Sequence, residues 1–345
     1  MPALKCSAVG LSAASPRSFL AVGFPLQSLT RMQDKVQTSN ETMVPDQNQH
    51  RVPQVYLRYF GYEDNNGQWM ISTLPIKEVE GMVARGVAYV NQESIASILA
   101  EQNLFDSDMT PGFEYGARDL EQMFGQLETH YPRIVEQVEG RVLMNREQRS
   151  MLIALLCSML IRSKHMGLRV GGSLDRSERT CFIEELTRQM RQPAGELFKH
   201  YMLNAEHEKN VLNLALLAMM DNLHGLFVSY EMVFVHTDNP NGWWTSDEPV
   251  VYRYDMNEGR IFSDDTELYL PLTPTVLLFM HHKNSKVKEG RFRTLDDGTH
   301  VVASNDEFAE ITQLIVSGGM DFVFFNREFR YKGSVEGFPM KLKSS

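Results

Sequence analysis

Between Arg149 and Arg162 the chain runs through Met151–Ile161, eleven residues in which Ser158 is the only polar side chain other than the thiol of Cys157. A helix built on such a run is apolar almost all round and must be covered on every side. A bilayer supplies that cover only to segments of about 20 residues. This run is roughly half as long, and arginines close it at both ends. It therefore predicts a core helix over about 147–165, central to a bundle, with Cys157 as an inert buried thiol.

The neighbouring segments supply partners. Leu120, Met123, Phe124, Leu127, Tyr131, Ile134, Val135 and Val138 recur at steps of three and four, which predicts one long helix over 114–139. The joint Gly140–Arg146 would fold the two into an antiparallel hairpin. Further helices are expected over 92–102, 176–191 and 194–229, and a short one after Pro53 that carries Val55, Tyr56, Tyr59 and Phe60. Asp64-Asn65-Asn66-Gly67 reads as a turn, followed by a strand over 68–73.

After Tyr230 the pattern changes to strands punctuated by turns: MVFVHT, WWTSD, PVVYRYD and LYLPLTPTVLLFMHH, then a helix over 308–316 and a strand over 322–325. The expected class is α+β, with a helical N-terminal half, built on the long antiparallel helix hairpin, packed against a mostly antiparallel C-terminal sheet. The expected organisation is a tail over 1–47, one domain over 48–330 (helical part 48–229, sheet part 230–330) and a tail over 331–345. Residues 1–31 hold Lys5, Arg17 and Arg31 but no acidic residue, so they read as a tail or a targeting segment.

Composition narrows the function classes. The chain has 34 basic and 44 acidic side chains, a net charge of -10, which disfavours an architectural nucleic-acid binder. Within it, residues 141–200 carry nine Arg and two Lys against five Glu and one Asp. That basic stretch either complements the acidic helices or forms a basic groove. Cys6, Cys157 and Cys181 include no C-x-x-C, so a reducing, cytoplasmic compartment is expected. No P-loop, dinucleotide fingerprint, nucleophile elbow or H-E-x-x-H is present. His281-His282 reads as a solvated strand end, since adjacent strand residues point to opposite faces.

Five pieces stand in order: HRVPQVYLRYF from His50, Glu121 with Glu128 seven residues on, Arg162-Ser163, Ser246-Asp247-Glu248-Pro249, and Pro271-Leu272-Thr273-Pro274. In this order they resemble the largely bacterial domain-of-unknown-function family 4238, over about residues 48–327. Lys164 departs from its pattern, standing where the family often has proline. The resemblance implies a family but no activity.

The physical reading of these residues goes further. Glu121 and Glu128 share a helical face. In a hairpin centred near Leu143, Arg162 would fall opposite Phe124, about 4.5 Å along the axis from Glu121 and about 6 Å from Glu128. His165 would share the face of Arg162. One alternative is an ion-pair cluster that fixes packing. The other has a Glu as general base or metal ligand and Arg162 on an anionic substrate. Asp247 is either turn chemistry or part of the same site, and His50 either a general base or a packing group. The candidate site is therefore His50, Glu121, Glu128, Arg162 and Asp247. It would serve a phosphodiesterase or nuclease-like hydrolase acting on an anionic small molecule or nucleic acid, with a divalent metal ion as a conceivable cofactor. The competing reading is a non-catalytic binding or protein-interaction module in which the same residues are scaffolding.

Overall fold

A computed structural model of the chain describes residues 47–79, 90–106, 118–164, 220, 223–253, 265–285 and 290–325. The helix expected over 176–191, most of that over 194–229, His165 and nearly all of both expected tails lie outside these residues.

The first elements are β1 (Asn48–His50), α1 (Gln54–Leu57), β2 (Tyr62–Glu63), β3 (Trp69–Pro75), β4 (Asn91–Ser94) and β5 (Ala100–Gln102). Three helices follow, α2 (Asp119–Glu128), α3 (Tyr131–Glu139) and α4 (Arg146–Arg162). The later strands are β6 (Tyr230–His236), β7 (Thr245–Ser246), β8 (Val251–Arg253), β9 (Glu267–Pro271), β10 (Val276–His282), β11 (Thr299–Val302) and β12 (Phe322–Phe325). A 3-10 turn spans Arg291–Thr294, and α5 (Asn305–Gly318) lies between β11 and β12.

The protein is a mixed α+β fold with three sheets among the described residues, and this corrects the expected architecture in three places. First, the N-terminal half is not helical as a whole: β1 and β5 form one sheet, and β2, β3 and β4 belong to another. Residues 92–102 are not a helix. Ile95, Ile98 and Leu99 mimic helical spacing, but they sit in the turn between β4 and β5, where Leu99 takes a left-handed φ of 56°. Both isoleucines reach the core from there.

Second, the segment read as one helix over 114–139 is α2 and α3, separated at Thr129 and His130. Pro132 falls in the first turn of α3. In the middle of a continuous helix it would remove a hydrogen bond and clash with the preceding turn, at a cost of about 3 kcal/mol. The chain therefore stops and restarts, and the expected hairpin of two long helices is not what forms.

Third, there is no single C-terminal sheet. One five-stranded sheet has the order β11-β6-β10-β9-β8, with β11 parallel to β6. The other joins early and late parts of the chain: β3 pairs antiparallel with β12, Ser72 beside Phe325, and β12 continues to β7.

The core is layered on the first of these sheets. On β6, Met232 and Phe234 share one cluster with α2, α3 and α4. The alternate residues Val233 and Val235 face Phe308, Ile311 and Ile315 of α5. This period-two alternation buries both faces of the strand. α4 is buried from Leu152 through Arg162. Its start is set by Asn145, whose side chain accepts from the Gln148 N–H while the Gln148 side chain accepts from the Asn145 N–H. His281 and His282 are both buried in β10, so the expected solvated strand end is overturned as well.

Candidate functional site

Arg162 closes the last turn of α4, where a cation complements the helix carbonyl end. The apolar run that buries the helix also carries this arginine inward, and the residue is only 2% exposed. A buried guanidinium needs several partners. Its Nη1 donates to Glu128 Oε1 at 2.5 Å, and its Nη2 donates to the carbonyl of His50. The rings of Phe124 and Phe105 lie 4.8 and 5.2 Å from the guanidinium carbon, so aromatic faces cover it.

His50 ends β1, and its backbone is fixed by the register of that strand on β5. The ring is oriented by Ala96 O at 3.2 Å from Nε2 and by the Gln54 amide at 3.2 Å from Nδ1. A ring that donates from Nε2 and accepts at Nδ1 is neutral. Burial lowers its pKa, further helped by Arg162 and opposed by the Ala96 carbonyl. Next to it Arg51 holds Glu101 with two bonds of 2.5 and 3.1 Å.

Glu121 and Glu128 both extend from α2. Glu128 has Arg162. Glu121 has no such bond: its Oε2 is buried without a hydrogen-bond partner, as is Nε of Arg162. Burial raises the Glu121 pKa, partly offset by Arg162 and reinforced by Glu128 and Asp106. The structure thus groups His50, Glu121, Glu128 and Arg162 around one guanidinium.

The profile of the family described as "Protein of unknown function (DUF4238)" matches residues 48–328. The chain belongs to this family. No curated protein and no solved structure is significantly similar to it. Among the described residues no helix is long and apolar enough to cross a membrane.

Of the family motif residues, Asp247 stands apart from the cluster. Its carboxylate accepts from the backbone N–H groups of Met320 at 3.0 Å and Asp321 at 2.8 Å, and so ties the end of β7 to the turn before β12. The local turn is made instead by Ser246, whose hydroxyl accepts from Glu248 N–H and donates to Glu248 O. Asp321 in turn pairs with Lys164 at 2.6 Å, two residues beyond Arg162. Asp247 is 5% exposed, so Asp247→Ala removes the acceptor of two part-buried N–H groups. A loss of about 1–3 kcal/mol in urea unfolding is expected; an unchanged midpoint would show that water replaces the carboxylate.

Several members of the cluster escaped sequence reasoning. Gln49 is fully buried, accepting from the Phe105 N–H and donating to Asp106. Phe105, Gln54, Arg51 and Glu101 complete the surroundings. Gln54 carried a signal, four residues after His50 in the same motif. Phe105 and Gln49 carried none, because β1–β5 pairing brings them together. Among the described residues no three His, Cys, Asp or Glu side chains form a group suited to a metal ion.

Proposed function

We propose that the protein is a hydrolase of phosphodiesters, with His50 as general base and Glu121 as general acid beside the Arg162–Glu128 pair. The observation that carries this reading is the unmatched hydrogen-bonding capacity of the cluster. A buried acceptor, Glu121 Oε2, and a buried donor, Arg162 Nε, both lack partners within one group of ionisable residues. Native interiors satisfy almost all such atoms, so an exception calls for an explanation, and a catalytic role is one. The directions of the pKa shifts agree, Glu121 upward and His50 downward, which is how an acid and a base are prepared in one site.

In the step proposed, a water oxygen attacks phosphorus as its proton passes to Nδ1 of His50, the Gln54 amide giving up its bond to that nitrogen. The P–O bond to the leaving group breaks, and that oxygen takes the Glu121 proton. The positive field of Arg162 opposes the charge that develops on the phosphoryl oxygens. Arg51 and Lys164 are the more accessible cations nearby, their side chains 21% and 45% exposed. Their surface ion pairs exchange at little cost, which suits receipt of an anionic substrate.

A second reading has one observation in its favour. Arg162 already ties α4 to α2 through Glu128 and to β1 through the His50 carbonyl, as scaffolding would in a binding or interaction module. Turnover of bis(p-nitrophenyl) phosphate by the full chain separates the two. The rate is expected to rise as pH climbs through the lowered pKa of His50 and to fall as pH passes the raised pKa of Glu121. The result is a bell-shaped profile. Absence of turnover between about pH 5 and 8, with and without Mn²⁺, favours the module.

A further inference from the structure

At the far end of α4 from the candidate site, a cleft of about 550 Å³, its open mouth included, is lined by Arg141, Arg146, Arg149, Leu143, Phe234 and His300. The length of α4 separates the two places by roughly 25 Å.

The cations here are unequal. Arg149 is committed to Asp297, at 2.5 and 2.7 Å, and to the Tyr230 carbonyl. Arg141 and Arg146 are exposed, and among the described residues neither forms an ion pair. Two uncompensated guanidiniums at one cleft are conspicuous in a chain of net charge -10. They come from the basic stretch that begins at residue 141.

Arg141 is also held in an unusual backbone state. The end of α3 closes with Val142 N–H on Gln137 O and Arg141 N–H on Val138 O, the Schellman pattern. Arg141 occupies its left-handed position, φ 52°, which normally selects glycine, while Gly140 stands one residue earlier with an ordinary φ of -71°. A non-glycine residue in this position carries a local backbone cost.

The remaining walls carry Val142, Met144 and Met232, with Asn145 and the arginine-paired Asp297 as polar members. The His300 ring stacks on Phe234 with centroids 4.9 Å apart and bonds through Nδ1 to His236 Nε2 at 2.9 Å. Leu143, 82% exposed, forms the lip.

We propose that this cleft binds an aromatic phosphate monoester, its dianion held by Arg141 and Arg146 and its ring by Leu143 and the His300 ring, which Phe234 backs from the core. Two guanidiniums match a phosphate dianion in charge, and each can offer it paired N–H donors. The inference is independent of the hydrolase reading, since it shares no residue with that site.

Calorimetric titration of the full chain with phenyl phosphate tests it. One saturable site is expected, with phenol and inorganic phosphate each weaker by about tenfold or more, as loss of either a charge-assisted contact or the ring contact implies. Arg141→Gly removes the side chain and relieves the left-handed strain. It should bind about tenfold or more weakly while melting at the same or a higher temperature. Arg146→Gln, on an exposed position, should lose affinity to a similar degree with its melting temperature unchanged. No saturable heat, or wild-type affinity in Arg146→Gln and Arg141→Gly, overturns the proposal. Equal affinity for phenol overturns it too.

Discussion

Arg162→Met is expected to destabilise the protein by about 3–5 kcal/mol, a drop of roughly 10 °C in melting temperature for a domain of this size. The change removes the bond to Glu128, the bond to the His50 carbonyl and the cation between Phe105 and Phe124. It leaves the Glu128 carboxylate facing an apolar methionine, with Glu121 close by. The added change Glu128→Gln should recover part of the loss, because it removes the charge that was left unmatched; adding Glu121→Gln should recover more. An Arg162→Met protein that unfolds at the wild-type urea midpoint would mean that the guanidinium is solvated rather than enclosed. This expectation holds whether the cluster is a catalytic site or a scaffold, so it measures the enclosure alone.

Glu121→Gln and His50→Gln carry the other large effect. Loss of a general acid or base reduces a rate by roughly 10²–10⁴-fold, and that reduction in phosphodiester turnover is expected for each variant. Stability should respond differently. Burial raises the Glu121 pKa in the folded state. Its contribution to stability is therefore fully present below the ordinary carboxylate pKa and is lost as pH rises through the raised value. Glu121→Gln abolishes that loss, so at neutral pH the variant should be at least as stable as wild type while nearly inactive. Its rate profile should also lose the alkaline limb. His50→Gln gives up the bond to Ala96 O and should cost about 1 kcal/mol. Activity that falls only in proportion to the folded fraction would assign both residues to scaffolding.

The buried run Met151–Ile161 determined α4 without reference to any other part of the chain, since an all-round apolar helix has one kind of environment. Local alternation and turn chemistry likewise determined β6, the β9–β10 pair and β12, together with the turn at Asp64–Gly67 before β3. The motif residues could be named from their order alone, because short spacings on a helix or ahead of one survive in any tertiary context. What tertiary structure decided is of a different kind. Whether Ile95 and Ile98 belong to a helix or to a turn between strands depends on β4 finding β3, and the same three-residue spacing serves both. The separation of α2 from α3 lay in the sequence at Pro132, but the apolar period that continues past it masked the break.

Longer-range facts had no local trace. β3 lies beside β12 because their backbone N–H and C=O groups satisfy one another across most of the chain, and hydrogen-bond pairing leaves no periodicity in either strand. Asp247 was legible as a motif residue, yet its acceptor role is set by Met320 and Asp321, which only the fold brings to it. The candidate site divides in the same way. Residue types and helical spacing put the carboxylates on one face. Only the packing of β1, α2 and α4 decided which of them would pair with Arg162 and which would be left buried without a partner.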